Sequence, residues 1–325
     1  MIEAAGLVSI TGVAGIIGLA AGIVASAVGT KKLLLADSFA PGARCRRVEQ
    51  LALLPWAGAM LGVTALLLPA LLKLAGLIDD HCLTHGLHHP HFCLRHLPTI
   101  APGPVMTIVL LSGAIPVFGL IRVAFAGVRE ARLLAGIKRM AWSTHSVIRT
   151  ELDAPRAFLF GLRRPRIVLS AGLLRLLTPA ERRAVVRHEI AHARAGDPAR
   201  RFILGFLLAV HLPQSRKRLQ RHWNQAAEER ADDCVADRGQ GLELASALVR
   251  VLRTRHAAPM PAAHPLAIDS ADVARRIRRL VDEARDIHVS PRLEYVFAAA
   301  VLFVVVTIAS GHHTTETITG WIIGG

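Results

Sequence analysis

Cysteine and acidic side chains are scarce in this sequence. Its 325 residues include four Cys, too few for a disulfide scaffold. Asp and Glu number 24 against 39 Lys and Arg, giving a formal net charge of +15. Most of that excess falls between Arg129 and Arg292, with 31 Lys/Arg against 17 Asp/Glu. Such a surface suits nucleic acid or an anionic membrane face. Beside long apolar runs the membrane is the simpler partner, and no direct nucleic-acid binding is expected. Basic residues are also missing where a signal peptide needs them. Met1-Ile2-Glu3 carries no Lys or Arg, and Lys31 and Lys32 follow the first apolar block. A signal peptide has the opposite order, so the block is read as a retained helix despite the cleavage-like Ala25-Ser26-Ala27. What the chain has in plenty is apolar residues: 52% of the total, with a mean hydropathy of +0.42.

These residues gather in four blocks, each a candidate for the roughly 20 helical residues that cross a bilayer. They run from about Ala4 to Gly29, Leu51 to Ile78, Val105 to Val128 and Leu293 to Ser310. Gly18 and Gly22 have the spacing that permits close helix packing. Lys73 and Arg122 sit near block ends, where long side chains reach the surface; they are the only hint of a transporter. The first loop holds Lys31, Lys32, Arg44, Arg46 and Arg47, whereas the second, 79–103, has only Arg95. The positive-inside rule then puts the N-terminus and the 79–103 loop outside and residues 129–292 in the cytoplasm. Residues 311–325 form a short outer tail. The expected fold class is therefore a multi-pass α-helical membrane protein. Its cytoplasmic part, 129–292, is expected to be a mainly α (α+β) domain.

The chemistry centres on TPAERRAVVRHEIAHARAG, Thr178 to Gly196. Thr178 is an N-cap, Pro179 suits the first helical position, Glu181 completes a capping box and Gly196 is a natural stop. His188 and His192 are four residues apart, so they share a helix face and can hold one zinc ion. Glu189 beside them is the expected general base, acting on water that zinc makes acidic. A catalytic zinc needs a third protein ligand. Glu228 in AAEERADD is preferred, with Glu229 the alternative, and Asp232, one turn after Glu228, is placed to orient a metal ligand. Asp197 has two readings: a hydrogen bond within the site, or an N-cap followed by Pro198.

Arg156 to Ser170 reads as a β-hairpin whose strand can pair with a substrate backbone. Phe202 to Leu212 is too short to span and is either a re-entrant or interfacial helix or a buried core helix. Ala257 to Ile268 reads as a linker. The basic run Arg275, Arg276, Arg278 and Arg279 is expected to meet lipid headgroups, and Arg276 is the one candidate for stabilising a transition state.

The segments AFLFGLRRPRIVLSAGLL, AVVRHEIAHARAGD and AAEERADD, with a weaker echo in His264-Pro265 and Arg276 to Leu280, together resemble the membrane metallopeptidases of the beta-lactam-sensor and antirepressor type (BlaR/MecR). More distantly they resemble the HtpX-like membrane proteases. The resemblance covers about Ala154 to Leu280. It implies three spans, a cytoplasmic zincin-like zinc metalloprotease domain at 129–292 and a fourth span in a bacterial cytoplasmic membrane. It also implies one zinc ion held by His188, His192 and Glu228 or Glu229, with Glu189 as base. The implied substrate is a protein, either the chain itself or a transcriptional repressor. The antibiotic sensors carry a penicillin-binding domain after the fourth span; here the sequence stops at Gly325, so beta-lactam sensing is not expected.

The outer loop carries six His (His81, His85, His88, His89, His91, His96) with Cys82 and Cys93. Outside the cytoplasm the two Cys are expected to form a disulfide, and the His cluster can bind metal or respond to pH. This loop supports the rival function, a non-catalytic membrane metal or pH sensor. Cys45 and Cys234 fall on the cytoplasmic side as reduced thiols.

Overall fold

The computed structural model describes residues 2–33, 39–77, 141–144, 147–162, 164–257 and 270–282, with the single positions 117, 121, 124, 125, 128 and 132. The fourth span, the His-rich loop with Cys82 and Cys93, the tail, most of the 257–268 linker and all but scattered positions of the third span lie outside the described residues.

Two long helices open the chain, α1 (Ile2–Leu33) and α2 (Pro41–Leu74). Each contains a run long and apolar enough to cross a membrane, by length and composition: Thr11–Thr30 and Pro41–Leu72. They pack antiparallel through glycine. A Cβ on Gly18 would strike the carbonyl of Gly58, and one on Gly22 would strike the carbonyl of Leu54. Only residues without side chains let the two backbones approach this closely.

α2 starts earlier than the second apolar block. Arg44, Arg46 and Arg47, expected in a loop, are helical. The reason is a short apolar stripe on the same turns. Cys45, Val48 and Ala52 share one face and are buried against Leu204, Leu208, Leu219 and Trp223.

A four-stranded sheet follows: β1 (Ala141–Thr144), β2 (Val147–Thr150), β3 (Ala157–Phe160) and β4 (Arg166–Ser170), in the order β1-β2-β4-β3. The expected hairpin is β3–β4, antiparallel with Ala157 opposite Leu169 and Phe160 opposite Arg166. Gly161, at φ +100°, makes the turn that a side chain would strain. β2 joins β4 in parallel. β4 is buried on both faces: Ile167 and Leu169 point to the helices, and Val168 packs with Ile148 and Phe160.

The remaining elements are helical: α3 (Ala171–Leu176), α4 (Pro179–Ala195), α5 (Asp197–Leu207), a 3-10 turn at Leu208–Val210, α6 (Pro213–Ala236), α7 (Gly241–Ala257) and α8 (Ser270–Val281). α4 lies between the sheet and α6, with Ala184 buried against Val235, Leu244 and Leu280 of α6, α7 and α8. Among the described residues Cys45 and Cys234 are free thiols, the first buried and the second exposed.

Candidate metal centre

The site is built on α4, whose ends are fixed by local chemistry. The Thr178 side chain accepts from Glu181 N, and the Glu181 carboxylate accepts from Thr178 N at 2.8 Å. Glu181 also accepts from Ser246 and Arg250 of α7. Gly196 ends the helix in the left-handed conformation at φ +69°.

Between these caps His188 and His192 project from one face, their Nε2 atoms 3.1 Å apart. Glu228 of α6 completes a triangle, with Oε2 3.4 Å from His188 Nε2 and Oε1 3.6 Å from His192 Nε2. A tetrahedral zinc with bonds of about 2.0–2.1 Å needs donor–donor edges of about 3.3–3.4 Å. The two carboxylate oxygens thus face one imidazole each, and the three side chains converge closely enough to hold one metal ion between them. Two imidazoles and a carboxylate are a donor set that zinc accepts.

Each imidazole is held from behind by a carboxylate. His192 Nδ1 donates to Asp197 Oδ2 at 2.6 Å. His188 Nδ1 lies 3.1 Å from Asp232 Oδ1, off the line of a good hydrogen bond. Each carboxylate is in turn anchored by an arginine. Arg276 donates from Nε and Nη2 to Asp232 at 2.7 and 2.8 Å, and Arg230 donates to Asp197 Oδ2 at 2.6 Å. These second partners fix which ring nitrogen faces the metal.

The capping reading of Asp197 is not what the structure shows. Gly196 is the N-cap of α5 and makes no side-chain cap bond, while Asp197 lies in the first turn. The left-handed Gly196 turns the chain back, so a carboxylate five residues after His192 returns to its ring. The headgroup reading of the basic run also changes. Arg276 is buried and donates to Asp232 and, at 2.9 Å, pairs with Glu228 Oε2. Arg279 pairs with Asp233 and Glu229. Glu229 faces away from the donor triangle, toward Arg44 of α2 and Arg275 and Arg279 of α8. Arg230, Glu49 and Arg200 were not legible as part of this network; Arg230 sits inside AAEERADD, and only its carboxylate-rich neighbours hinted at it.

Four carboxylates, Glu189, Glu228, Asp232 and Asp197, lie around the two imidazoles, and Arg276 and Arg230 pair with three of them. Burial disfavours a charged His192, but Asp197 and Glu228 outweigh it and push the ring up to about 10. His188 is raised in the same way by Asp232 and Glu228 against its burial. Glu228 is held well below the usual carboxylate range: burial opposes, and Arg276 with the two imidazoles prevails. Glu189 moves in the other direction, its burial raising it against the pull of His188 and His192.

No curated protein and no solved structure matched the chain. A family model described as peptidase family M48 matches residues 129–231. The matched stretch contains the sheet, α3, α4, α5 and α6 as far as Ala231, and stops before Asp232 and Arg276. The match shows that this part of the chain is similar to peptidase family M48, and His188, His192 and Glu228 within it form a donor set that could hold a metal ion.

Proposed function

We propose that this protein is a membrane-embedded zinc metalloendopeptidase, with His188, His192 and Glu228 as metal ligands and Glu189 as general base. The observation that carries this reading is the donor triangle with Glu189 adjoining it in the same buried cluster. When bound, the metal supplies Lewis-acid polarisation of a peptide carbonyl and of the attacking water. Glu189 takes the proton from that water and passes it to the departing amide nitrogen. Burial of Glu189 raises its proton affinity, which favours its holding the proton between the two halves of that transfer. Arg276 and Asp232 hold Glu228 and His188 in place during the exchange.

β3 is an edge strand among the described residues and packs against α4. An extended substrate segment can add to that edge by backbone pairing, beside the metal helix. The substrate is a cytoplasmic or membrane-proximal protein, a transcriptional repressor or the chain itself. α1 and α2 serve as the first two spans in a bacterial cytoplasmic membrane, with the peptidase part on the cytoplasmic side. The charge pattern of the loops supports that orientation.

The test compares the wild-type chain with Glu189→Gln in native membranes. Metal content by elemental analysis should stay at one zinc per chain in both. Cleavage of the chain and of co-expressed repressor candidates should fall by about 10²–10⁴-fold in the variant. Cleavage at the wild-type rate in Glu189→Gln would refute the assigned mechanism.

A further inference from the structure

α5, the 3-10 turn and the start of α6 form a hairpin whose tip is not fully used by the core. Leu204 and Leu208 face inward, but Ile203 and Leu212 are 55% and 54% exposed. The hairpin is tied to the apolar helices at a definite depth. His211, itself 6% exposed, lies 3.1 Å from the Ser26 hydroxyl of α1 and 3.4 Å from the Leu51 carbonyl of α2. Trp56 of α2 donates from Nε1 to the Leu207 carbonyl at 3.0 Å and stacks on Phe206 with ring centroids 4.8 Å apart. Ser26 lies four residues inside the end of the apolar run at Thr30, about 6 Å along the helix axis. Trp56 lies seven residues beyond Glu49, the last charged residue before the apolar stretch of α2, about 10 Å along the axis. The Phe206–Leu212 turn therefore reaches the depth of the headgroup–acyl boundary, about 5–10 Å below the surface.

The flanking chemistry matches that level. The first turns of α6 carry Arg216, Lys217, Arg218 and Arg221 and no acidic residue, and Lys217, Arg218 and Arg221 are exposed. An apolar tip followed by exposed cations is the pattern that anionic lipid attracts. We infer that the α5–α6 hairpin is a membrane-inserting device. Ile203 and Leu212 enter an anionic phospholipid leaflet, and Lys217, Arg218 and Arg221 bind its headgroups. This rests on the reading of α1 and α2 as spans, and it gives the same site a substrate class. Asp197, which holds His192, opens α5, and Leu207 closes it. The metal centre thus stands about 15 Å from the inserted turn. Scissile bonds in proteins that are themselves anchored in the membrane, about two to three extended residues from its surface, fall within reach.

The test uses the full chain in phosphatidylcholine–phosphatidylglycerol liposomes, with the photo-crosslinker benzoylphenylalanine at one position at a time: Ile203→benzoylphenylalanine, Leu212→benzoylphenylalanine and, as control, Leu242→benzoylphenylalanine. Leu242 is 68% exposed and equally apolar, but it follows the far end of α6. Lipid adducts at 203 and 212 should exceed those at 242 by at least about fivefold. Lys217→Glu, Arg218→Glu and Arg221→Glu together should reduce the adduct at 212 in the phosphatidylglycerol liposomes and leave it unchanged in pure phosphatidylcholine. Adducts at 212 with another part of the chain, adduct yields at 212 no higher than at 242, or no effect of the charge reversal would each overturn the inference. Alkaline carbonate extraction separates the two layers of argument. A chain that resists extraction but gives no lipid adduct at 212 refutes the hairpin alone, whereas a chain that carbonate releases refutes the spans as well.

Discussion

His188 and His192 each use both ring nitrogens, one toward the metal position and one toward a carboxylate. Asp197 and Asp232 do not touch the metal position, so their work is orientation. Asp232→Asn keeps the shape but removes the charge that faces His188 and Arg276. It should weaken zinc binding by about 10–100-fold, measured by competition with a chelator of known affinity. Asp197→Asn should weaken it within the same range through His192. If both variants bind zinc as tightly as wild type, the supporting role of these carboxylates is wrong. The donor pair itself was readable from spacing alone, because residues four apart on a capped helix have only one arrangement. Glu228 was readable only as one of two. What separates it from Glu229 is the rotation of α6, which is set by contacts with Arg44 and Arg279, and those lie in distant parts of the chain.

At the level of elements, α4 was the most legible because all of its signals are local. Cap, first-position proline, capping box and left-handed stop occupy 19 consecutive residues. Thr178→Ala should lower stability by about 1 kcal/mol, read as a lower denaturant midpoint in detergent. The pH dependence follows from Glu181, which burial would raise but which Ser246, Thr178 and Arg250 together hold below its ordinary value. A carboxylate with a lowered folded-state pKa adds stability above its unfolded value of about 4.3, and that stability is lost as pH falls through the lower folded value. Glu181→Gln should flatten the loss of stability below about pH 4.3, with little change in slope above it. An unchanged acid slope would show that Glu181 is not linked to folding. By contrast β1 and β2 are four residues each and lack a clear alternation, so the sheet was legible only as its β3–β4 half. α8 was legible as a helix but not in its orientation. Arg275, Arg276 and Arg279 face α6 because Glu228, Glu229, Asp232 and Asp233 wait there, some 40 residues earlier, while Arg278 stays exposed.

On the scale of the whole molecule, α2 packs both on the apolar helix before it and on the helices that carry the donor residues. Its apolar part packs on α1, and its first turns complete the cluster around Trp223 and Leu219, which are fully buried. Polar contacts reinforce the join. Glu49 accepts a two-pronged bond from Arg200 at 2.9 and 3.0 Å and a bond from Trp223 Nε1 at 2.8 Å, and Arg44 pairs with Glu229. The sequence hid this because the first turns of α2 are basic and look like a loop, while their apolar stripe is only three residues. A chain cut to residues 129–282 would keep every metal ligand and every residue that anchors one. It would nevertheless expose Trp223, Leu219, Ala226 and Ala227, and leave Glu229 without Arg44 and Arg200 without Glu49. We expect the cut chain to aggregate or to melt without a cooperative transition. We also expect it to bind zinc at least about tenfold more weakly than the full chain, since Glu229 adjoins the third donor and Arg200 lies near Asp197. The two chains can be compared by Trp223 fluorescence during denaturation and by chelator competition. A soluble 129–282 chain with a sharp transition and full zinc affinity would show that α2 merely lies against the peptidase unit rather than completing it.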